Sequence, residues 1–291
     1  MSIKTILVPF FGYDEELASL ETAFELGKRH KAHITVWHIS PDPLEYITAY
    51  AGTGYVGPFY DDALIRELEQ PYLESKNKAR QKYDDLIAEK NILTDFHPKL
   101  ITECSASFMA AKGDAAEILQ VQARLADLVV LTRPWDKNVG RTSDVLNHCL
   151  FNSGKPILVV PPNSKAPALH NKAAIAWDAS PETARTIALA MPMLENCTVS
   201  VITVMSDKAR DFPLPAEDIS MYLTHHNIKS DVIWCDVSHS VEESLLTACR
   251  SVKADFLVMG AYTRSRLKEV IFGGTTDYML NNADIPILIS H

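Results

Sequence analysis

The order of apolar runs in this chain is written twice, and that repetition restricts the fold more than any single motif does. Lys172-Ala173-Ala174-Ile175-Ala176-Trp177 parallels residues 4–9, and Val199-Ser200-Val201-Ile202-Thr203-Val204 parallels Ile34-Thr35-Val36-Trp37-His38-Ile39. Ala254-Asp255-Phe256-Leu257-Val258 echoes Ala126-Asp127-Leu128-Val129-Val130, and Ile285-Pro286-Ile287-Leu288-Ile289 echoes Lys155-Pro156-Ile157-Leu158-Val159. Short, continuously apolar runs of this kind suit strands buried in a parallel sheet. Helix-favouring segments stand between them, so the chain reads as an internal duplication of one α/β unit. The second copy is shorter because it lacks most of a Tyr- and Gly-rich insert.

With 291 residues, 47% hydrophobic and 22% charged, the chain has material for two domains of ordinary size. A stiff polar stretch, Pro161-Pro162-Asn163-Ser164-Lys165-Ala166-Pro167, separates the copies. The units are therefore expected at 1–162 and 171–291. A net charge of −9 and a pI near 5.6 argue against a nucleic-acid partner, because a phosphate backbone needs a basic face. No apolar run approaches the roughly 20 residues that span a bilayer, and Met1-Ser2-Ile3-Lys4 passes directly into a strand, so no membrane association and a cytoplasmic location are expected. Cys104, Cys149, Cys197, Cys235 and Cys249 are odd in number and widely spread, which reads as buried free thiols.

In the first copy a helix is expected over 14–30, with Leu17, Leu20, Ala23, Phe24 and Gly27 on one stripe. Residues 40–97 form the insert. It contains Gly52-Thr53-Gly54-Tyr55-Val56-Gly57, a literal Gly-x-Gly-x-x-Gly. A dinucleotide fingerprint must lie between the first strand and its helix, and this one lies well past the second strand, so it reads as a loop. Residues 61–90 are charged and helix-favouring, 99–102 read as a strand, and 114–125 as an amphipathic helix. The loop 133–141 begins Arg133-Pro134-Trp135-Asp136. It has few glycines, and Pro134 removes an N–H donor, so phosphate binding is not expected there. A helix over 145–151 follows.

In the second copy Trp177-Asp178-Ala179-Ser180-Pro181-Glu182 follows the first strand. Ser180 is a good N-cap and Pro181 a good first helical residue. Asp178 then stands at the carboxyl end of the strand, where ligands of open α/β sheets bind. Further on, Phe256-Leu257-Val258-Met259 runs into a loop with Gly260, Arg264, Arg266, Lys268, Gly273, Gly274, Thr275 and Thr276, and a helix begins at 276. Glycines permit close backbone approach, and free N–H groups at a helix start favour an anion.

The spacing Gly260-x2-Thr263-x9-Gly273-Gly274-Thr275 resembles the ATP-binding signature of universal stress proteins: a glycine, a second glycine three on, then a glycine followed by Ser or Thr. Thr263 stands for the second glycine, and Gly274 stands at the Ser or Thr position, with Thr275 and Thr276 just beyond. Asn281-Asn282-Ala283-Asp284-Ile285-Pro286-Ile287-Leu288-Ile289 is similar to that family's closing strand. The resemblance covers nearly the whole chain. It implies an α/β class of two tandem doubly wound Rossmann-like domains, each with a five-stranded parallel sheet. It also implies pairing through the last strands, here as an intramolecular pseudo-dimer, with a homodimer as a further assembly. The ligand it implies is ATP, ADP or AMP, with or without Mg. Asp178 would meet the adenosine and the backbone near Val204 the adenine. Gly260, Thr263, Arg264, Arg266, Gly273, Gly274, Thr275 and Thr276 would line the loop. The first copy, with Phe10-Phe11-Gly12 where the family carries an Asp, would be degenerate. A stress-response role is implied by the family alone.

No general base is placed beside the loop, so catalysis beyond slow ATP hydrolysis is not expected. His30 with His33, His225 with His226, and Cys235 with His239 lack a third ligand at metal spacing. The alternative function is a scaffold without nucleotide, whose first-copy insert binds a partner or an apolar ligand.

Overall fold

The computed structural model describes residues 2–42, 62–94, 102–135, 138–164, 169, 171–205, 214–261 and 274–291. The first half runs β1 (Thr5–Pro9), a 3₁₀ turn (Asp14–Glu16), α1 (Leu17–His30), β2 (His33–Ser40), α2 (Asp62–Lys90), β3 (Leu93–Thr94), β4 (Ser105–Lys112), α3 (Ala115–Ala123), β5 (Leu128–Thr132), α4 (Val139–Asn152) and β6 (Ile157–Val160). The second runs β7 (Lys172–Ala176), α5 (Pro181–Leu194), β8 (Thr198–Met205), α6 (Ala216–His225), β9 (Lys229–Asp236), α7 (Val241–Ser251), β10 (Phe256–Gly260), α8 (Gly274–Asn282) and β11 (Ile287–Ser290). Gly52 to Gly57 lie outside the described residues, as do residues 99–101 of the expected strand. The nearby strand is β4, which begins at Ser105.

Among the described residues eleven strands form one sheet, in the order β3-β4-β2-β1-β5-β6-β11-β10-β7-β8-β9. The succession β4-β2-β1-β5-β6 returns in the second half as β9-β8-β7-β10-β11, and the first half adds the two-residue β3 beyond the five strands expected. Every pairing is parallel except the seam, where β6 and β11 run antiparallel with Ile157 opposite Ile289, Leu158 opposite Leu288 and Val159 opposite Ile287. That register is symmetric about Leu158 and Leu288, as a local two-fold between corresponding strands requires. Pro156 and Pro286 precede these two strands, so neither removes a donor from the ladder.

Alternate strand residues point to opposite faces, and both faces are covered. Ile6, Val8, Val130, Leu158, Ile175, Val201, Val258 and Leu288 face one core with α1, α2, α5 and α6. Leu7, Val129, Leu131, Val159, Ile202, Leu257 and Ile289 face the other with α3, α4, α7 and α8. Each core crosses the seam. Arg133 Nη1 also donates to Ala283 O across it at 2.8 Å, and the rings of Phe151 and His291 meet edge-on at 4.8 Å. Among the described residues no helix is long and apolar enough to cross a membrane.

Candidate functional site

The polar groups of the second half gather where β7, β8 and β10 end. Asp178 stands just past β7 and Ser180 caps α5, accepting Thr183 N–H at 3.1 Å, with Pro181 as first helical residue. This cap turns back on the aspartate. Asp178 Oδ1 accepts from Ser180 N at 3.1 Å, Ser180 Oγ at 2.6 Å and Thr183 Oγ1 at 2.6 Å. The carboxylate is exposed, and Oδ2 has no hydrogen-bond partner among the described residues. Ala179, between the two polar residues, holds φ +58°. A Cβ in that left-handed region costs about 1–2 kcal/mol, so the turn that presents Asp178 carries strain.

Gly260, at the end of β10, touches the same cap. Its N–H donates to Thr183 Oγ1 at 3.2 Å, and that hydroxyl donates in turn to Asp178. A Cβ on Gly260 would stand 2.6 Å from Thr183 N and 3.0 Å from the carbonyl carbon of Glu182. The glycine is needed for close backbone approach. Val204, at the end of β8, is nearly buried, and Met205 beside it is exposed. Thr203 Oγ1 reaches Trp177 O at 3.4 Å, tying β8 to β7.

Gly274, Thr275 and Thr276 open α8. A Cβ on Gly274 would meet nothing within 4 Å. Thr276 is buried, while Thr275 Oγ1 donates to Glu242 Oε1 at 2.7 Å. Burial pushes the Glu242 carboxyl up, but the hydrogen bonds led by Thr275 bring it below its ordinary value. An anionic group therefore already sits beside the start of α8. Thr263, Arg264, Arg266 and Gly273 lie outside the described residues. The structure thus brings Asp178 and Gly260 together through Thr183, which the sequence reading did not single out.

The corresponding place in the first half is filled by its own side chains. Phe10 N bonds Trp37 O at 2.9 Å as Trp177 N bonds Ile202 O at 2.9 Å, so Phe11 corresponds to Asp178, Glu16 to Thr183 and Ile39 to Val204. Phe11 is buried, and the Arg141 guanidinium lies 3.8 Å from its ring centroid and donates to Ile39 O. Glu16 is 3% exposed and accepts Phe11 N at 2.9 Å and Tyr13 N at 3.1 Å. Burial raises its pKa to about 7 against those backbone bonds. His38 is buried between Phe10 O and Ser40 Oγ, each 3.1 Å away, and burial lowers its pKa to about 4. Helix α2 closes the remaining side: Ser75 Oγ donates to Phe11 O, Lys82 Nζ donates to Gly12 O at 2.7 Å, and Ala79 abuts Gly12.

A doubly wound α/β sheet with polar groups collected at the carboxyl ends of its strands defines the class, an open-sheet α/β fold. Residues 171–291 match the model of the universal stress protein family. A universal stress protein from Archaeoglobus fulgidus DSM 4304 is similar in structure over 99% of this chain and 96% of its own, with a TM-score of 0.69 at 15% identity. A protein of unknown function from Pseudomonas aeruginosa PAO1 covers 99% of this chain and 92% of its own, with a TM-score of 0.58 at 14% identity. A universal stress protein from Arabidopsis thaliana, solved with AMP bound, covers 41% of this chain and 90% of its own, with a TM-score of 0.32 at 14% identity. No curated protein matches the chain by sequence. The second half is thus a universal stress protein domain, and the whole chain has the fold of the two full-length structures.

Proposed function

We propose that residues 171–291 bind an adenine nucleotide across the ends of β7, β8 and β10, and that residues 1–162 form a second unit whose corresponding crevice is closed. The observation that carries this reading is the Asp178 carboxylate, pinned through one oxygen by Ser180 and Thr183 while its other oxygen has no hydrogen-bond partner among the described residues, at the carboxyl edge of the sheet. Such an oxygen suits the hydroxyls of a ribose. Gly260 lets β10 close onto the α5 cap that holds Asp178, and the start of α8 offers N–H groups to phosphate. The first half lacks this opening because Phe11 replaces the aspartate and Arg141 takes the Ile39 carbonyl.

A specific observation favours the scaffold reading instead: Glu242 accepts from Thr275 where phosphate would approach, and like charge opposes binding. The discriminating experiment is mass spectrometry of nucleotide released from the purified, denatured protein, followed by calorimetry with ATP on the parent, Asp178→Ala and Glu242→Gln. Nucleotide binding predicts weaker affinity for Asp178→Ala and tighter affinity, by a few-fold, for Glu242→Gln. Absence of ATP binding in the parent and in Glu242→Gln alike would establish the scaffold reading.

A further inference from the structure

The second half ends in a strand whose outer side is unpaired. β9 is the last strand of the sheet and pairs only with β8 among the described residues. In a parallel pair, alternate residues turn their backbone groups toward one neighbour or the other. Thr198 N–H donates to Asn171 O at 2.8 Å and Ile202 O accepts from Trp177 N at 2.9 Å, so the even-numbered residues of β8 face β7 and the odd-numbered ones face β9. With Val199 opposite Ser230, it is Lys229, Asp231, Ile233 and Cys235 that turn to β8. Ser230, Val232, Trp234 and Asp236 are left with N–H and C=O groups directed outward. The strand carries no proline or glycine to blunt this edge. A regular row of unpaired backbone groups is a template for another strand.

Large apolar side chains accompany the row. Trp234, on the strand itself, is 46% exposed, and its Nε1 donates to Glu217 Oε1 on α6 at 3.2 Å. Met221, one turn beyond Glu217 on the same flank of α6, is 61% exposed. Ser220 and Ser230 hydroxyls meet at 2.8 Å, which seats this flank of the helix on the edge strand. Exposed aromatic and methionine side chains beside open backbone are the composition of an interface.

We propose that β9 is the interface of a homodimer, in which a second copy adds its own β9 antiparallel about a two-fold axis at Ile233. The strand is self-complementary in that register. Ser230 stands opposite Asp236 of the second copy and Val232 opposite its Trp234, so every outward-facing residue meets an outward-facing residue. Moving the axis to Val232 would leave Asp236 without a strand partner, and moving it to Trp234 would do the same to Ser230. The two central pairs join an aromatic to a β-branched side chain, a favourable combination, and no like charges stand opposite one another. The outer pairs let the Ser230 hydroxyl donate to the Asp236 carboxylate. Corresponding strands already pair antiparallel within the chain, at the β6–β11 seam, which leaves the seam closed to a second copy and β9 as the edge on which the sheet can continue. An unrelated extended peptide would satisfy the backbone equally, but would not require Val232 and Trp234 to stand symmetrically about Ile233. The proposal is independent of the nucleotide reading.

The test is the mass of the full chain in solution, read by sedimentation velocity over a dilution series. The parent is expected to sediment as a dimer of 32.4-kDa chains and to dissociate on dilution. Trp234→Lys puts a charge in place of a central aromatic contact and should raise the dissociation constant about ten-fold or more. Because it alters an exposed side chain, its far-UV circular dichroism should match the parent's, which separates loss of the dimer from loss of the fold. Val232→Pro removes an N–H that points outward, sparing the ladder to β8, and should weaken the dimer as well. Leu125→Lys, at an exposed apolar residue just past α3, should leave the dimer intact. The register is read by cross-linking with diamide. Ile233→Cys should give a reducible covalent dimer, since facing residues of a non-hydrogen-bonded antiparallel pair lie within disulfide reach, whereas Asp236→Cys, opposite Ser230, should not. A monomeric parent, a dimer indifferent to both Trp234→Lys and Val232→Pro, or cross-linking through Asp236→Cys in preference to Ile233→Cys would overturn the proposal.

Discussion

The two crevices at the carboxyl edge of the sheet share a scaffold and differ in where the carboxylate is placed. In the second half it is Asp178, on the loop, accepting from hydroxyls at the start of α5. In the first half it is Glu16, at the start of α1, accepting from the loop backbone at Phe11 and Tyr13. Both arrangements tie loop to helix. The loop-borne carboxylate keeps an oxygen at the surface, whereas the helix-borne one is drawn inside, and Phe11 and Arg141 close over it. The comparison teaches that two halves with the same strand order can expose or bury a carboxylate at the same edge of the sheet through a handful of positions, without disturbing the strands.

The comparison is broken most severely at Phe11. Phe11→Asp would empty a buried aromatic site and set a second carboxylate beside Glu16, an expected loss of about 4 kcal/mol in urea unfolding. Asp178→Ala removes one acceptor at an exposed cap and should cost about 1 kcal/mol. If both changes cost the same, the first crevice is as open as the second.

Next in size is the pH dependence that burial of Glu16 imposes. Its folded pKa, about 7, lies above the ordinary 4.5, so the native state holds the proton more tightly. Its contribution is complete below pH 4.5 and is lost as the pH rises through about 7, a difference of about 3 kcal/mol. His38 acts oppositely: kept neutral by burial, it costs stability as the pH falls from 6.5 toward 4. The parent profile mixes the two, so the informative quantity is a difference. Glu16→Gln, which can still accept from Phe11 and Tyr13, should match the parent at pH 4.5 and exceed it by up to about 3 kcal/mol at pH 8, read from denaturant midpoints. An equal difference at both pH values would show that Glu16 is ionised throughout.

Much of this was legible in the sequence because buried parallel strands must be continuously apolar: β1, β2, β5 and β6 and their counterparts announce themselves. The strands β4 and β9 do not. Ser105–Lys112 is rich in Ser and Ala around Phe108 and Met109, and Lys229–Asp236 encloses Val232 to Cys235 between polar residues and alternates partly buried with exposed positions, so each gives a weaker signal than a strand buried on both faces. The cap formed by Ser180 and Pro181, and the place of Asp178 above it, followed from local rules. Glu16 and Arg141 could not be read, because Glu16 sits in the charged run Asp14-Glu15-Glu16 and Arg141 in a loop-like stretch. Their burial depends on which helices close over β1 and β2, which the duplication alone does not reveal.

The smallest effect, and the finest test of correspondence, lies at the residue after Phe11 and Asp178. Gly12 has φ +91° and Ala179 φ +58°, so both turns need a left-handed residue and only the first has a glycine. In Gly12→Ala the new Cβ would meet that strain and also stand 3.0 Å from Ala79 Cβ and 3.1 Å from its backbone. A loss of about 2 kcal/mol is expected. Ala179→Gly runs the other way. Relief of about 1–2 kcal/mol of left-handed strain is offset by the extra freedom of glycine in the unfolded chain, about 0.4–1 kcal/mol, which leaves a net gain of about 0.5–1 kcal/mol. Denaturant midpoints of the two variants against the parent would measure both. If Ala179→Gly destabilises instead, the turn before α5 does not require the left-handed conformation, and the presentation of Asp178 must rest on its bonds to Ser180 and Thr183 alone.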